Sequence, residues 1–385
     1  MSAGGGSKRG TSGPVTVCCP FVGDSIGGSH FSALLLLKNL DTSRYRPRIV
    51  IHQRGPLEAH LRATGVKFEM LPLSRFVGTD PHPLGHLQAL ARSAPPLIRF
   101  LKASDIGIVH AHDGRMNLTW SLPTRLTGRR YVWHQRSAYK PSRLVHVISK
   151  SANLTVCISQ FVADGLPGRR RPIVIENPFE TSGSPGNAAR ESFFTRSGAN
   201  PDAKIIGLVG NLREHKRPFL FLEVAAQMIR THNGPLAFVI FGADPGGLQP
   251  ALEKRAQTLG IAGKIHFMGF AHPIGPWIAA CDLLLVPAVG EAFGRTTVEA
   301  MVVGTPVVAS DSGGHREIIE PGVTGILVLP DDAPAMAAAA AALLADPARY
   351  EAVTSAARQQ AVERYSVDAH ARAMMDLYDT LGVHR

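Results

Sequence analysis

No apolar run approaches the roughly eighteen residues that a membrane span needs. The longest, Ala333 to Ala345, is Ala-rich with Pro and Asp nearby. Cysteine is scarce. Cys18, Cys19, Cys157 and Cys281 sit in apolar, strand-like runs without metal or disulfide spacing, so a disulfide framework is excluded and buried thiols in a reducing cytoplasm are expected. Nucleotide fingerprints are also missing. The glycines at 23, 27 and 28 do not form GxGxxG, and Ser29-His30 stands where a P-loop needs Lys-Ser/Thr; dinucleotide and ATP signatures are therefore unsupported. No Asp-x-Asp occurs, which removes the clustered aspartates that usually hold Mn²⁺ or Mg²⁺ beside a sugar nucleotide. Acidic residues are absent altogether from Gly114 to Ala163, a stretch that holds eight basic ones: Arg115, Arg125, Arg129, Arg130, Arg136, Lys140, Arg143 and Lys150.

What is present is ordinary globular material, 45% hydrophobic and 18% charged over 385 residues, long enough that two domains are the default. The net charge of +11 is uneven: residues 1–180 hold 24 Lys+Arg against 10 Asp+Glu, and the remainder 17 against 20. A solvated basic face and an anionic partner for the first half both account for this. Residues 1–13 (MSAGGGSKRGTSG) are Gly/Ser-rich, read as disordered, and lack a signal peptide's apolar core.

From Val15 the chain alternates β-rich runs with helical ones. VTVCCPF leads through GDSIGGS into a helix from His30, and further strands are predicted at 48–52, 66–71, 106–110, 131–134, 154–158 and 173–175. Helices are expected over 84–102, broken near Pro95-Pro96, and over 116–126, interrupted by Pro123. Residues 181–203 are rich in Gly, Ser, Pro and Asn and read as a linker between domains. A second β–α series runs from 204 to 364, and residues 365–385 predict an amphipathic terminal helix packing back on the first domain. The expected fold class is α/β: two doubly wound parallel-sheet, Rossmann-like domains, 14–180 and 204–364, with a cleft between them.

The chemistry concentrates in GEAFGRTTVEAMVVGTPVVASDSGGHRE (290–317). A strand at 283–286 leads to Glu291, a helix starts at Gly294, and Glu299 lies inside it. A helix N-terminus favours an anion such as a diphosphate, and a carboxylate within the helix can accept hydroxyl hydrogen bonds. Lys216, in VGNLREHKRP, also stands at a helix start after a strand, where a cation works against the macrodipole and suits a phosphate; Arg213 could add a second such bond. Diphosphate charge would then be met by Lys216, Arg213 and backbone N–H groups at Gly28 and from Gly294 through Arg295 and Thr296 to Thr297. His110 and His112 share one face at a strand's end and His134 ends the next strand, where parallel sheets bind ligands. No third metal ligand with recognisable spacing accompanies them. His134 is taken as a polar group on a transferred sugar, and His112, Arg115 and Arg136 as acceptor contacts.

At these residues the chain resembles family 4 of the retaining GT-B glycosyltransferases, over nearly its whole length after residue 14. The family's E-x7-E element stands as Glu291 to Glu299, followed by AMVVGTPVVAS, Gly313-Gly314 and Glu317. G-R-L-x-x-x-K appears as Gly210 to Lys216, with Asn211 in place of Arg. Gly27-Gly28, His134 and the strand ending in Asn177 match as well. The resemblance implies transfer of a sugar from a nucleotide-diphosphate donor with retention and without an essential metal or other cofactor. It implies Glu299 on the donor ribose, Glu291 and the backbone after Phe293 on sugar and phosphate, and Lys216 on the departing diphosphate. It casts Glu291, His134 and Lys216 as the catalytic group, and Gly28, Arg213, Lys216, Phe293, Gly294, Arg295, Thr296 and Glu299 as donor-binding. A nucleotide-sugar 2-epimerase and a non-catalytic nucleotide-sugar-binding protein are the alternatives. A glycan, lipid-linked or small-molecule acceptor, an anionic one included, a peripheral contact with anionic membrane, no nucleic acid, and a place in the cytoplasm, the membrane's inner face included, complete the expectation.

Overall fold

The computed structural model describes residues 13–80, 82–138, 146, 148–166, 171–183 and 185–383. The disorder expected of residues 1–13 falls, apart from Gly13, outside these, as do Lys140 and Arg143 of the basic stretch. The chain divides into two compact units: residues 1–158, 165–175 and 370–385, and residues 159–164 and 176–369.

The first unit is built on a seven-stranded sheet, β1 (Val15–Phe21), β2 (Tyr45–Ile51), β3 (Glu69–Met70), β4 (Ile106–Ala111), β5 (Arg130–Gln135), β6 (Leu154–Cys157) and β7 (Ile173–Val174), in the order β3-β2-β1-β4-β5-β6-β7. Every recorded pairing is parallel. All seven residues of β1 are buried, which explains an apolar run without alternation: a parallel sheet is covered on both faces. One face packs against Leu36, Leu57 and, from the chain's end, Met374 and Tyr378. The other packs against Leu97, Leu101, Met116 and Trp120.

Two expected helix breaks do not occur. Pro83–Lys102 is a continuous helix across Pro95 and Pro96, and Gly114–Leu126 continues across Pro123. An interior proline costs about 3 kcal/mol. In the first helix, Ala89, Ser93, Leu97 and Leu101 recur every fourth residue and are buried; each leucine returns about 1.5–3 kcal/mol. Packing of this face offsets much of that cost.

The second unit carries a six-stranded sheet, β8 (Lys204–Val209), β9 (Leu236–Phe241), β10 (Ile265–Gly269), β11 (Leu283–Val286), β12 (Val307–Ser310) and β13 (Ile326–Val328), ordered β10-β9-β8-β11-β12-β13. These pairings too are parallel. The stretch expected as a linker, 181–203, instead contains the helix Asn187–Ser197, which belongs to this unit. Phe193 is its buried anchor, and Arg190 bonds the Ala280 carbonyl and Asp282 at 2.9 Å each. The polar composition of that segment masked one apolar contact face. Within the terminal helix Val367–Asp379, the residues from His370 onward belong to the first unit.

In both sheets the strand order reverses at one point, between β1 and β4 and between β8 and β11. Loops leaving adjacent strands there diverge to opposite faces and open a crevice at the strands' C-terminal ends.

Candidate active site

In the second unit the reversal brings the loop after β8 beside the loop after β11. Gly210 has φ +149°, which turns the chain sharply from β8 into Asn211-Leu212-Arg213. A short 3₁₀ turn, Glu214–Lys216, follows. The Lys216 ammonium ends 2.5 Å from Glu291 Oε1, and His215 Nε2 lies 3.9 Å from the same oxygen. Val289 N–H donates to the His215 carbonyl at 2.9 Å, so backbone and side chain both join the two loops.

Glu291 is mostly buried, with 15% side-chain exposure. Burial is the largest single influence and pushes its carboxyl up; the Lys216 charge and hydrogen bond, with His315 and His215 beyond, together hold it below the usual carboxylate range. It is therefore an anion at neutral pH, paired with a cation.

The loop that carries Glu291 is held by close backbone packing. Gly314 N–H donates to the Glu291 carbonyl at 2.8 Å. A Cβ on Gly314 would lie 2.1 Å from the Phe293 carbonyl oxygen, and one on Gly313 2.5 Å from that of Glu291. The double glycine is thus a steric requirement of the Glu291 loop. Ser312 Oγ accepts from Gly290 N–H at 3.0 Å, and Ser159 Oγ donates to the Ala292 carbonyl at 2.5 Å.

Gly294, at φ +109°, caps the helix Arg295–Val303. Thr297 N–H donates to the Gly294 carbonyl at 3.0 Å. Thr297 is therefore not one of the open donors expected there; the first-turn N–H of Thr296 has no acceptor within the helix. Thr296 Oγ1 bonds the Val209 carbonyl at 3.4 Å, tying this turn to β8. Glu299 lies about one turn in, and Arg295 donates to its Oε1 at 3.2 Å. Burial raises the Glu299 carboxyl more than Arg295, Lys216 and His272 lower it. Arg295 also sits 4.4 Å over the Phe179 ring. Phe293, expected to touch the donor, buries its ring between Phe179 (6.1 Å, stacked) and Tyr365 (5.8 Å, edge-on), so only its backbone remains for a ligand.

Asn211 is spent locally: its Oδ1 accepts from Ala243 N–H at 3.2 Å. Arg213 opens the 3₁₀ turn, is exposed, and has no ion-pair partner among the described residues. His315 went unread in the sequence, where a lone histidine after two glycines looks like a helix start. It is fully buried, with Nδ1 3.2 Å from the Ser310 carbonyl. Its Nε2 has no hydrogen-bond partner among the described residues and lies 3.4 Å from where a Gly294 Cβ would be.

The other predicted residues lie in the first unit. Gly28 opens the helix Gly28–Lys38, capped by Gly27 in extended conformation; His30 N–H donates to the Gly27 carbonyl at 3.0 Å, and the N–H groups of Gly28 and Ser29 have no acceptor within the helix. Arg115 is committed to Asp24 through two bonds of 2.6 and 2.9 Å. His112 is buried and stacked on Phe21 at 6.0 Å. Both its nitrogens have partners: Nδ1 receives Arg136 at 3.3 Å, and Nε2 lies 3.5 Å from Cys19 Sγ. The three residues assigned to acceptor contact thus each hold an internal partner.

His134 is fully buried, with Nδ1 3.1 Å from His110 Nε2. Burial first, then the Arg136 charge, hold His134 and His110 well below the usual imidazole range; burial, His110 and Arg136 do so for His112. All three are neutral at pH 7.

Cys19, His110 and His112 bring ligand-type atoms within 4.8 Å of one another. Cys19 was invisible as a third group because it lies on β1, far from the histidines in sequence. Arg136 can only donate, so His112 Nδ1 accepts and the ring's proton sits on Nε2, facing the thiol. No imidazole lone pair of His112 points at Cys19 in this arrangement.

Two sheets with reversed strand order, an anionic glutamate clamped by a lysine and a helix start just after it describe an α/β enzyme of the GT-B fold. The comparisons agree. The family model described as "Glycosyl transferases group 1" matches residues 189–360. An uncharacterized glycosyltransferase of Methanocaldococcus jannaschii is 31% identical over 88% of this chain and 96% of its own. The lipopolysaccharide core biosynthesis mannosyltransferase LpsB of Rhizobium meliloti is 32% identical over 48% of this chain. The chain spans about half the length of the first curated relatives it matches, 54% and 43%. The crystal structure of Anabaena HepE in complex with UDP-glucose superposes with a TM-score of 0.77 over 95% of this chain and 99% of that one, at 21% identity, a likeness of fold. The chain belongs to the group 1 glycosyltransferases. Among the described residues no helix is long and apolar enough to cross a membrane.

Proposed function

We propose that the protein transfers a sugar from a nucleotide-diphosphate donor to an acceptor hydroxyl, with retention of configuration and without an essential metal. The observation that carries this reading is the Lys216–Glu291 pair at 2.5 Å, in the loop that leads into the N-terminus of the helix Arg295–Val303. A diphosphate leaving group accumulates negative charge as the glycosidic bond breaks. Donors already aimed at that position stabilise it without reorganisation. Lys216 can turn from Glu291 to a phosphate oxygen while Glu291 hydrogen-bonds sugar hydroxyls. Glu299, with its carboxyl raised by burial, is suited to a ribose diol, which replaces lost water with two O–H donors. The 2-epimerase alternative needs an acid/base pair at the sugar, and Glu291 is held as an anion by Lys216.

The acceptor is read as a glycan or lipid-linked species. The basic surplus of residues 1–180 suits an anionic one, presented at the inner face of a membrane. A relative named for lipopolysaccharide core biosynthesis agrees with this.

A thermal-shift panel of nucleoside diphosphates and nucleotide sugars tests the donor assignment. One base should raise Tm selectively, by an amount that grows with ligand concentration, and with EDTA present as without it. Equal response to every nucleotide, or none to any, contradicts it.

A further inference from the structure

Glu317 follows the double glycine of the Glu291 loop and has no part in the site as built so far. It lies on the short helix His315–Ile318, and its carboxylate meets a segment 157 residues earlier in the chain. Gln160 N–H donates to Glu317 Oε2 at 2.6 Å and Phe161 N–H to Oε1 at 2.7 Å. These open the helix Gln160–Asp164, which belongs with the second unit although it follows directly on residue 158 and the first. Val162 N–H donates to Ser159 Oγ at 3.1 Å, and Ala163 N–H to the Ser159 carbonyl at 3.1 Å. The orphan donors of this helix start are thus all met by protein. It is closed to a ligand.

The buried Ser159 hydroxyl works in two directions. While it accepts from Val162, it donates its own proton to the Ala292 carbonyl at 2.5 Å. One oxygen therefore joins the helix start to the residue after Glu291. The preceding peptide has a separate anchor: the Glu291 carbonyl accepts from Gly314 N–H at 2.8 Å, and the Gly314 carbonyl accepts from Glu317 N–H at 3.1 Å. The bonds close into a ring, from Ala292 to Ser159, through the helix start to the Glu317 carboxylate, and through Gly314 back to Glu291. Arg364 holds the Glu317 backbone, donating to its carbonyl at 2.9 Å and to Glu176 Oε2 at 2.8 Å. All of these residues lie in the second unit. The loop from 287 to 294 has no helix or strand ladder of its own, so this ring fixes the two peptides that follow the Glu291 side chain.

We propose that Ser159 and Glu317 are positioning residues for Glu291, fastening the helix Gln160–Asp164 to its loop and so holding the Glu291 carboxylate against Lys216. This rests on the sugar-transfer reading above. A carboxylate suits the task because its two oxygens accept both N–H groups at once, with charge-assisted bonds and no donor of its own to place.

Release of nucleoside diphosphate by the full chain from UDP-glucose, GDP-mannose and ADP-glucose tests this in two backgrounds. Ser159→Ala and Glu317→Ala should each lower kcat about tenfold, the worth of one hydrogen bond, with donor KM within about twofold of the unmodified chain. Combined, they should cost little more than either alone, because each opens the same ring. Introduced into Glu291→Gln, either should change kcat by less than about twofold, since the group they position is already gone. Equal losses in both backgrounds overturn the proposal, as does an unmoved kcat or a loss confined to KM. Ser159 is buried; should Ser159→Ala fail to fold, Glu317→Ala, at the half-buried end of the ring, decides alone. Hydrogen exchange gives a readout independent of turnover. Residues 289–294 should exchange faster in Glu317→Ala than in the unmodified chain, and equal exchange overturns the proposal. If the unmodified chain neither binds nor turns over any of the three donors, the sugar-transfer reading is what fails, and exchange still reports whether the ring holds the loop.

Discussion

Glu291 and Glu299 are both buried carboxylates of one loop–helix segment, yet their surroundings push them in opposite directions. Lys216 holds Glu291 below the usual range, whereas burial leaves Glu299 above it despite Arg295. The linkage signs follow. A carboxyl lowered in the folded state stabilises the fold above its unfolded pKa, and this is lost as pH falls through the folded value; one that is raised destabilises the fold at neutral pH. Glu299→Gln should therefore raise the Tm of the ligand-free protein at neutral pH while weakening nucleotide-sugar binding, measured by calorimetry and by titration. A lower Tm with intact binding would contradict the assignment. Glu291→Gln should bind the donor but turn over about 100-fold more slowly, the worth of one pre-set polar contact in a transition state; wild-type turnover would remove Glu291 from the site. The two glutamates, Lys216 and the helix start were legible in the sequence because each motif is local. Two positions were not. His315 carries no signal apart from its fold context, and Asn211 turns out to be spent on Ala243 rather than poised for phosphate.

At the scale of elements, the site depends on loops that touch backbone to backbone. The loop after β8 meets the loop after β9, where a Cβ on Gly242 would sit 2.0 Å from the Gly210 carbonyl oxygen. The loop after β11 meets the turn after β12, where Gly314 abuts Phe293. Gly314→Ala is expected to displace the Glu291 loop: stability should fall by about 1–3 kcal/mol, as for overpacking a tight contact, and turnover by a larger factor than stability implies. Urea unfolding and initial rates check this; a variant with unchanged rates would show that the loop position is not critical. The strands were readable from their apolar runs. The helices through Pro95, Pro96 and Pro123 were not, because local proline chemistry argued for breaks that long-range packing overrides. The helix Asn187–Ser197 was hidden for the converse reason, its polar composition concealing Phe193.

Across the whole molecule, the alternation of strands and helices was enough to expect two doubly wound sheets, and the chain has them. The gathering of His110, His112 and His134 at neighbouring strand ends was legible; that Cys19 joins them was not, because it depends on which strands become neighbours. Its consequence is global. Three histidines held neutral in the folded state, against an ordinary value of 6.5, take up protons on unfolding. As pH falls below that value the unfolded chain binds protons that the folded chain refuses, so stability declines with a limiting slope of one proton per histidine. Thermal unfolding followed through mildly acidic pH should show Tm falling as pH drops below the ordinary imidazole value, and His110→Asn should flatten the slope. A Tm independent of pH in that range would contradict the neutral cluster.

The central claim is that Lys216, Glu291 and the helix start at Arg295 serve the transfer of sugar from a nucleotide diphosphate. Product analysis tests it most directly: the full chain is incubated with the donor it binds and a candidate acceptor in the presence of EDTA, and every sugar-bearing species is followed by mass spectrometry and NMR. The account predicts equal amounts of free nucleoside diphosphate and glycosylated acceptor, with the anomeric configuration of the donor kept, and loss of both products in Lys216→Ala. Inversion at the anomeric carbon, epimerised nucleotide sugar without transfer, or full activity in Lys216→Ala would contradict it.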